Sequence, residues 1–473
     1  MTFDSNPTIA IVGAGASGVI AAAALLRSLR RPARVVLFDG RGSRGAGLAY
    51  GTSDSDHVLN VPASKMSAIA EDPDHFLRWL REDGSEQAAT WRSLTVPDAF
   101  VPRGLYAAYL EDVLRTSLES SDPGVVLEIQ TEEINDLVRR GGGWRLLGRS
   151  GAAWVASVVI LALGYRPPVL PKGIGAALAG HPRLILDPWE RGAFESVLPE
   201  DAIVVAGAHL TMIDVALTLD RQGHRGGIVA VSPRGLMPLS HGPSDPAYVP
   251  VDLDKPPVTA RGLLRRVRAE AASEESNGGS WRSVADAVRP FVPRLWSALS
   301  NPERARFLRH VHPYWEVHRH RMAPAIATHV EGMKSEGRVR VMAGRIVSTT
   351  AHDGGFTIDV RPRGRSEVTT LHAGWLVNAT GPTVRYAEDP TVFLTRILES
   401  GIVRPGPLGL GLAATSGGAL LDRKGEPHAD LFTLGPALRG MLWESTAVPE
   451  IRLQAADLAR ALAGSMGLDR AEA

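Results

Sequence analysis

The chain has 473 residues, more than one hydrophobic core usually organises, so two or three packed units with room for a large ligand between them are expected. Lysine and arginine total 52 against 51 aspartate and glutamate, which excludes the globally basic surface that draws in nucleic acid or anionic membrane and leaves a small molecule as the default partner. There is no cysteine, which excludes disulfides, thiolate metal centres and a redox dithiol, and no apolar run approaches the roughly 18–20 residues that span a bilayer.

The polar stretch from Met1 to Thr8 has neither a charged leader nor an apolar core, so a cytoplasmic location is expected. Thr8–Val12 is an apolar, β-rich run, followed by Gly13-Ala-Gly15-Ala16-Ser17-Gly18 and an Ala/Leu-rich stretch from Val19 to Leu29 without a breaker. This order predicts strand, tight turn and helix. Glycines there let the chain turn and a pyrophosphate approach the backbone, and the helix N-terminus offers N–H groups to the phosphates. The next strand, Arg34–Phe38, ends at Asp39, an acid placed to accept from both hydroxyls of an adenosine ribose and to repel a 2′-phosphate. At the front of a two-nucleotide flavoprotein such a site is expected to hold FAD.

The order recurs. Ala202–Ala206 reads as a strand, then Gly207-Ala-His209-Leu-Thr211-Met-Ile-Asp, a helix to about Gln222 and a strand over Ile228–Val231. Asp39 lies 26 positions after Gly13, and the same step from Gly207 falls on Pro233, between Ser232 and Arg234. The acid is missing, and an arginine suited to a 2′-phosphate favours NADPH over NADH. Val125–Ile129, the Gly141–Gly143 turn, Trp144–Leu147 and Val158–Gly164 likewise correspond to Val339–Met342, the Gly354-Gly355 turn, Phe356–Val360 and Trp375–Gly381. His209 stands where the middle glycine belongs, so either NADPH binds with altered geometry or the second site has lost it.

The predicted fold class is therefore α/β, with two Rossmann-like dinucleotide-binding domains, β-meanders and a helical insertion. Residues 1–172 with 383–473 form the FAD domain, 173–235 with 337–382 the NAD(P) domain, and 236–336 the insertion, expected to cover the substrate. The insertion carries Arg309-His310, His312, Tyr314-Trp315 and His318-Arg319-His320-Arg321. His310, Arg319 and Arg321 are candidates for holding an anionic substrate or phosphate; the bland alternative is a solvated basic helix face, and no carboxylate cluster joins these residues to make a metal site. A glycine-rich loop is expected at Glu274–Ser280, and fraying after Ala463. Gly435-Pro436 follows a strand, and Ser445 and Thr446 are cap candidates for a helix from Glu450 to Leu462, which either aims its positive end at the flavin or is an ordinary surface helix.

Taken together, the chain resembles the large bacterial family of FAD/NAD(P)-binding proteins that also contains flavin-dependent amino-acid N-monooxygenases such as nitrosuccinate synthase. The resemblance spans nearly the whole chain and rests on the first glycine motif, Gly47-Leu-Ala-Tyr50, His57-Val-Leu-Asn60-Val-Pro62-Ala-Ser-Lys-Met66-Ser67, Phe100-Val-Pro-Arg103, Arg319-His-Arg321 with Ala323-Pro324, Asn378-Ala-Thr-Gly381 and Leu442-Trp-Glu-Ser-Thr-Ala-Val-Pro-Glu450. It departs at His209 and Pro233. The resemblance implies that Asn60–Ser67 lines the flavin ring. The expected FAD contacts are Gly13, Gly15, Ala16, Ser17, Gly18, Asp39, Asn60, Met66, Gly164, Gly381, Gly435 and Thr446; those to NADPH are Gly207, His209, Thr211, Ser232 and Arg234. The expected activity is an FAD-dependent, NADPH-consuming monooxygenase using O₂ on a small amine or amino acid, with no side-chain nucleophile. The alternatives are a flavin dehydrogenase or oxidase that never uses NADPH, and a non-catalytic flavin-binding regulatory module.

Overall fold

The computed structural model describes residues 6–40, 42, 44–82, 98–250 and 256–469. The first glycine motif sits where the sequence puts it, between β1 (Thr8–Val12) and α1 (Ala16–Ser28). There follow β2 (Ala33–Phe38), α2 (Arg103–Glu119), β3 (Val125–Gln130), a meander of β4 (Ile134–Arg140), β5 (Gly143–Gly148) and β6 (Ala153–Ala156), and β7 (Val158–Leu161). After the short β8 (Leu184–Ile185) the order repeats as β9 (Ile203–Ala206), α3 (Leu210–Arg221) and β10 (Ile228–Ser232). The helices α4 (Ala260–Ser276), α5 (Trp281–Val288), α6 (Val292–Ala298), α7 (His312–Arg319) and α8 (Pro324–Ser335) lead to β11 (Val339–His352), β12 (Gly355–Pro362), β13 (Thr369–Ala373) and β14 (Trp375–Asn378). The chain then returns through β15 (Ala419–Leu421) and β16 (Pro427–Thr433) to α9 (Val448–Ser465).

Two sheets carry these elements, ordered β15-β16-β7-β1-β2-β3 and β13-β12-β11-β10-β9-β14-β8. Within them β3-β2-β1-β7 and β11-β10-β9-β14 are parallel and arranged alike, so the repeated sequence order is a repeated topology. The copies differ at the meander. β3 and β4 are separate strands, whereas β11 runs unbroken for 14 residues and serves both the parallel sheet and the antiparallel meander, bending at a register shift between Ile346 and Ser348.

Burial explains the layering. One face of the first sheet is sealed by α1, α2 and α9 through Ile9, Ile11, Val35, Leu37, Tyr109 and Leu458; α9 is therefore a core helix, not a surface one. On the other face Val36, Phe38 and Leu161 join Trp144 of the meander and Val288, Leu295 and Trp296 of the insertion. The insertion thus springs from the second sheet and packs on the first. Its last helix packs elsewhere: Val330 and Met333 of α8 join Met212, Ile213 and Ala216 of α3. The end of the chain is ordered beyond expectation over the described residues, since α9 reaches Ser465 and the Leu468 carbonyl accepts from the Arg30 N–H at 2.8 Å. Residues 470–473 lie outside the described residues, as does Met1–Ser5 of the N-terminal stretch.

The two units are tied by polar contacts. Arg103, at the start of α2, pairs with Asp214 of α3 at 2.7 Å, Asp54 pairs with Arg221 at 2.7 Å, and His57 Nε2 lies 2.9 Å from Thr218 Oγ1. Where the chain crosses between units, Arg166 and Thr383 exchange two backbone hydrogen bonds.

Candidate functional site

The first glycine loop requires glycine at its ends. Gly13 has φ +109°, and a Cβ there would stand 2.4 Å from the Ala162 carbonyl oxygen; a Cβ on Gly18 would stand 1.8 Å from the Gly13 carbonyl oxygen. Gly15 caps α1 without a side-chain hydrogen bond, so the first-turn N–H groups over Ala16, Ser17 and Gly18 have no intrahelical acceptor and face the turn. Asp39 is buried directly after β2, its N–H held by the Gln130 carbonyl at 2.8 Å. Gly435 abuts the same helix start: a Cβ on it would lie 2.6 Å from Ser17 Oγ. Gly164, at φ +63°, follows β7.

The second loop keeps only the first of the three glycines. Gly207 has φ +123°, and a Cβ on it would meet the Ala379 oxygen at 2.1 Å. The place of Gly15 is taken by His209, the residue capping α3, and that of Gly18 by Met212, which is fully buried. Gly13 N–H donates to Phe38 and Gly207 N–H to Val231, so the residue matching Asp39 is Ser232 and not Pro233. The second copy is one residue shorter between glycine and strand end, which counting along the sequence could not detect. The acid is absent at either position.

Between the two units and the insertion lies a cavity of about 760 Å³. Of the sequence candidates, Asn60, Met66, Gly381, Thr446, His209, Thr211, Ser232 and Arg234 line it. The Asn60 carbonyl is 3.0 Å from Nε2 of His241 in the insertion, and Arg234 donates to the Arg309 carbonyl at 2.5 Å with its guanidinium over Tyr314. Thr446 lies at the wall beside Ala447, and it is Ala447, not Ser445 or Thr446, that caps α9. Gly13, Gly15, Ala16, Ser17, Gly18, Asp39, Gly164, Gly207 and Gly435 are outside the lining of this cavity and form the two loops and strand ends described above.

The three substrate candidates fall elsewhere. Arg319 is 6% exposed and pairs with the buried Glu444 at 3.2 Å; Arg321 is 4% exposed and pairs with Asp286. Both are buried structural cations, because a guanidinium withdrawn from water needs a fixed counter-charge. His310 is exposed. None of the three lines the cavity.

What the insertion does present is Glu316 with His312 and His320, one and two turns apart on a single face of α7 and its C-terminal cap. His312 Nε2 stands 2.9 Å from one carboxylate oxygen and His320 Nδ1 2.8 Å from the other, and Arg439 donates to the carboxylate at 3.0 Å. Burial would raise the Glu316 carboxyl, but His320, His312 and Arg439 together hold it well below the usual carboxylate range. Arg439 also donates to the Tyr165 hydroxyl at 3.3 Å and lies 4.5 Å over Trp443, a wall residue at φ +62° stacked on Trp296. His209 joins from the opposite unit, its ring 6.3 Å from that of His320; burial, helped by the neighbouring His320 and His312 and opposed by Glu316, lowers its pKa to about 4. The i, i+4, i+8 spacing of His312, Glu316 and His320 was legible in the sequence; Arg439, Tyr165 and Trp443 could be joined to it only in three dimensions. Among the described residues no group of histidine and acidic side chains is arranged to hold a metal ion, and no helix is long and apolar enough to cross a membrane.

Residues 10–166 match the model of the FAD-NAD(P)-binding family. No curated protein matches the sequence. The fold is similar over its whole length to solved structures of low sequence identity. The ornithine N-hydroxylase of Kutzneria sp. 744, solved with reduced FAD, NADP⁺ and L-ornithine, is 13% identical with a TM-score of 0.68, covering 98% of this chain and 100% of that one. A cadaverine monooxygenase of Erwinia amylovora bound to FAD is 12% identical with a TM-score of 0.67, covering 98% and 95%. L-lysine 6-monooxygenase of Pseudomonas syringae is 17% identical with a TM-score of 0.62, covering 97% and 99%. The two-unit Rossmann architecture inferred from the repeated sequence order is thus a known fold.

Proposed function

We propose that the chain is a cytosolic FAD-dependent, NADPH-consuming monooxygenase that oxygenates the nitrogen of a small amine or amino acid with O₂. The observation that carries this reading is the cavity lined jointly by both nucleotide-binding units and the insertion, a single chamber on which groups bound to the two units would converge. The likeness to the N-hydroxylases supports it.

The residues of the first unit fit FAD: Gly13 and Gly18 are required by the tight turn against the helix start, Gly15 leaves the α1 N-terminus without a side chain, and Asp39 stands at the strand end where a ribose belongs. The bare backbone at Gly15 would admit the pyrophosphate, and the cavity wall of Asn60, Met66 and Thr446 would border the ring. The positive end of α9 at Ala447 and Val448 opens on the same cavity and would favour an electron-rich ring edge. When bound, FAD supplies the activation of O₂ that no side chain here can provide. The second unit offers NADPH the α3 N-terminus, Thr211, Ser232 without acidic repulsion, and Arg234 for a 2′-phosphate. The protein's own work is to keep water out and hold the amine against the flavin, for which Tyr50, Leu59, Val61, Leu410 and Trp443 supply apolar wall.

His209 and Met212 give a second reading a specific footing: a flavin dehydrogenase or oxidase with a second unit that no longer binds a dinucleotide. One spectrum separates them. FAD-loaded protein that bleaches anaerobically with NADPH, and consumes O₂ and NADPH faster when amines are added, supports the monooxygenase; bleaching by an organic substrate alone replaces it with the second reading.

A further inference from the structure

An amine takes up oxygen through its nitrogen lone pair, and near neutral pH an alkyl ammonium with a pKa of about 10.4 has lost its proton in only about one molecule in a thousand. A chamber that oxygenates amines needs a proton acceptor, and few of its lining groups can serve. Tyr50 is kept a neutral phenol by burial, and the Tyr165 hydroxyl accepts from Arg439 at 3.3 Å. Asp214 is paired with Arg103 at 2.7 Å. Glu316 is held ionised by Arg439 and two imidazoles, which makes it a poor acceptor, and burial at His209 works against any proton placed there. His312 and His320 remain.

Both touch Glu316, His312 through Nε2 at 2.9 Å and His320 through Nδ1 at 2.8 Å. A carboxylate behind an imidazole fixes the ring and stabilises the imidazolium formed when the far nitrogen takes a proton. The two rings differ in their surroundings. His312 stands edge-on to Trp443 at 5.1 Å with Phe307 at 6.4 Å, wedged among aromatic rings. His320 caps the end of α7 and lines the cavity, and its Nε2 has no hydrogen-bond partner among the described residues. The charged and titratable groups around it are Glu316 and His312 of α7, His209 of the second unit, and from the first unit Arg439 and Glu444, the latter tied to Arg319.

Resting on the monooxygenase reading, we propose that His320 takes the proton from the substrate ammonium, with Glu316 as its positioning residue. The N–H bond breaks, its electron pair stays on nitrogen as the lone pair, and the proton goes to His320 Nε2, where Glu316 balances the imidazolium. The lone pair takes one oxygen atom of O₂; the other leaves as water, completed by the proton that His320 returns. NADPH supplies the two electrons, so R–NH₃⁺ + O₂ + NADPH → R–NHOH + H₂O + NADP⁺ balances in atoms and charge. The imidazole thus ends as it began, and no proton is drawn from solvent.

The FAD-loaded protein is given NADPH and O₂ with butylamine, 1,4-diaminobutane and the standard amino acids, and the most active amine is compared with its β,β-difluoro analogue, whose nitrogen is far less basic. Against the basic amine, His320→Gln should lose about 100-fold or more in kcat/KM near neutral pH, the scale of general-base catalysis. It should recover about tenfold per pH unit as free amine accumulates, while the wild type stays nearly level. Against the fluorinated amine the loss should be under about fivefold, since the base has little left to do. Flavin content and circular dichroism should be unchanged, and Glu316→Gln should show the same dependence on amine basicity at smaller size. If His320→Gln does not fold, imidazole added to His320→Gly takes its place and should restore rate with the basic amine only. Equal losses with both amines, a loss that rising pH does not repair, or a variant as active as the wild type overturns the proposal and leaves the monooxygenase standing. If no amine raises NADPH-dependent O₂ consumption by the wild type, the monooxygenase reading falls and the proposal with it.

Discussion

The two nucleotide-binding units share strand order, helix placement and first glycine, yet only the first has glycine at the two later positions of its loop. In the first, Gly13, Gly15 and Gly18 leave no side chain between α1 and the turn. In the second, His209 and Met212 occupy the two later positions, and the imidazole faces the cavity instead of leaving it empty. Topology is set by strand pairing and buried apolar faces, which tolerate these exchanges; the space left at the helix start is set by the few side chains exchanged there. A duplicated fold can therefore differ at its ligand-facing loop while keeping its parallel strand order.

Substitutions that exchange features between the units test this contrast. The largest effect is expected from Gly15→Leu, which places a side chain at the uncapped start of α1 while leaving the core untouched. The purified variant should lack flavin absorbance, and stoichiometric FAD in it would refute the assignment. Met212→Gly should act oppositely, emptying a fully buried site and loosening α3, at a cost of about 2–5 kcal/mol in urea unfolding; a change below about 1 kcal/mol would mean that the second loop packs no more tightly than the first. Arg234→Ala should raise KM for NADPH by about 30-fold, the ~2 kcal/mol scale of one charge-assisted contact, while leaving NADH unchanged. Equal losses with both nucleotides would point instead to a displaced insertion, since Arg234 also holds the Arg309 carbonyl.

His209→Gly sharpens the comparison further. If the ring stands in the path of the pyrophosphate, stopped-flow reduction of the flavin by NADPH should quicken more than tenfold, about 1.4 kcal/mol. An unchanged or slower rate means that the imidazole is accommodated or is itself a contact. The smallest effect concerns pH. Burial depresses His209 and His241 to about 4 in the folded protein, below the roughly 6.5 of an unfolded histidine. The unfolded chain then binds more protons between these values, so stability is full above about pH 6.5 and declines as the pH falls toward 4. The melting temperature should drop over that window, and less steeply in a His209→Gln, His241→Gln variant; parallel curves would place the acid sensitivity elsewhere.

The sequence by itself determined the repeated parallel strands β1, β2, β3 and β7 with β9, β10, β11 and β14, the glycine turns and the acid after β2, but not β4, β6, β8, β13 or β15, because each feature it caught is a local pattern of apolar period, backbone freedom and strand-end chemistry. It also showed that the second loop had lost a glycine. It misjudged the residues whose role depends on what lies across the chamber. Arg319 and Arg321 read as free cations because Glu444 and Asp286 are remote in sequence, 125 and 35 positions away. The partner of Asp39 was placed at Pro233 because a one-residue shortening is invisible until Gly207 N–H is seen to bond Val231. Helical period alone could not say which core the last helix of the insertion joins; Val330 and Met333 of α8 pack on α3. The Glu316 cluster depends most on tertiary structure. Its histidines share a helix face, but Arg439 and His209 reach it from opposite units, and a charge network closes only when the fold removes water from between groups that the chain keeps far apart.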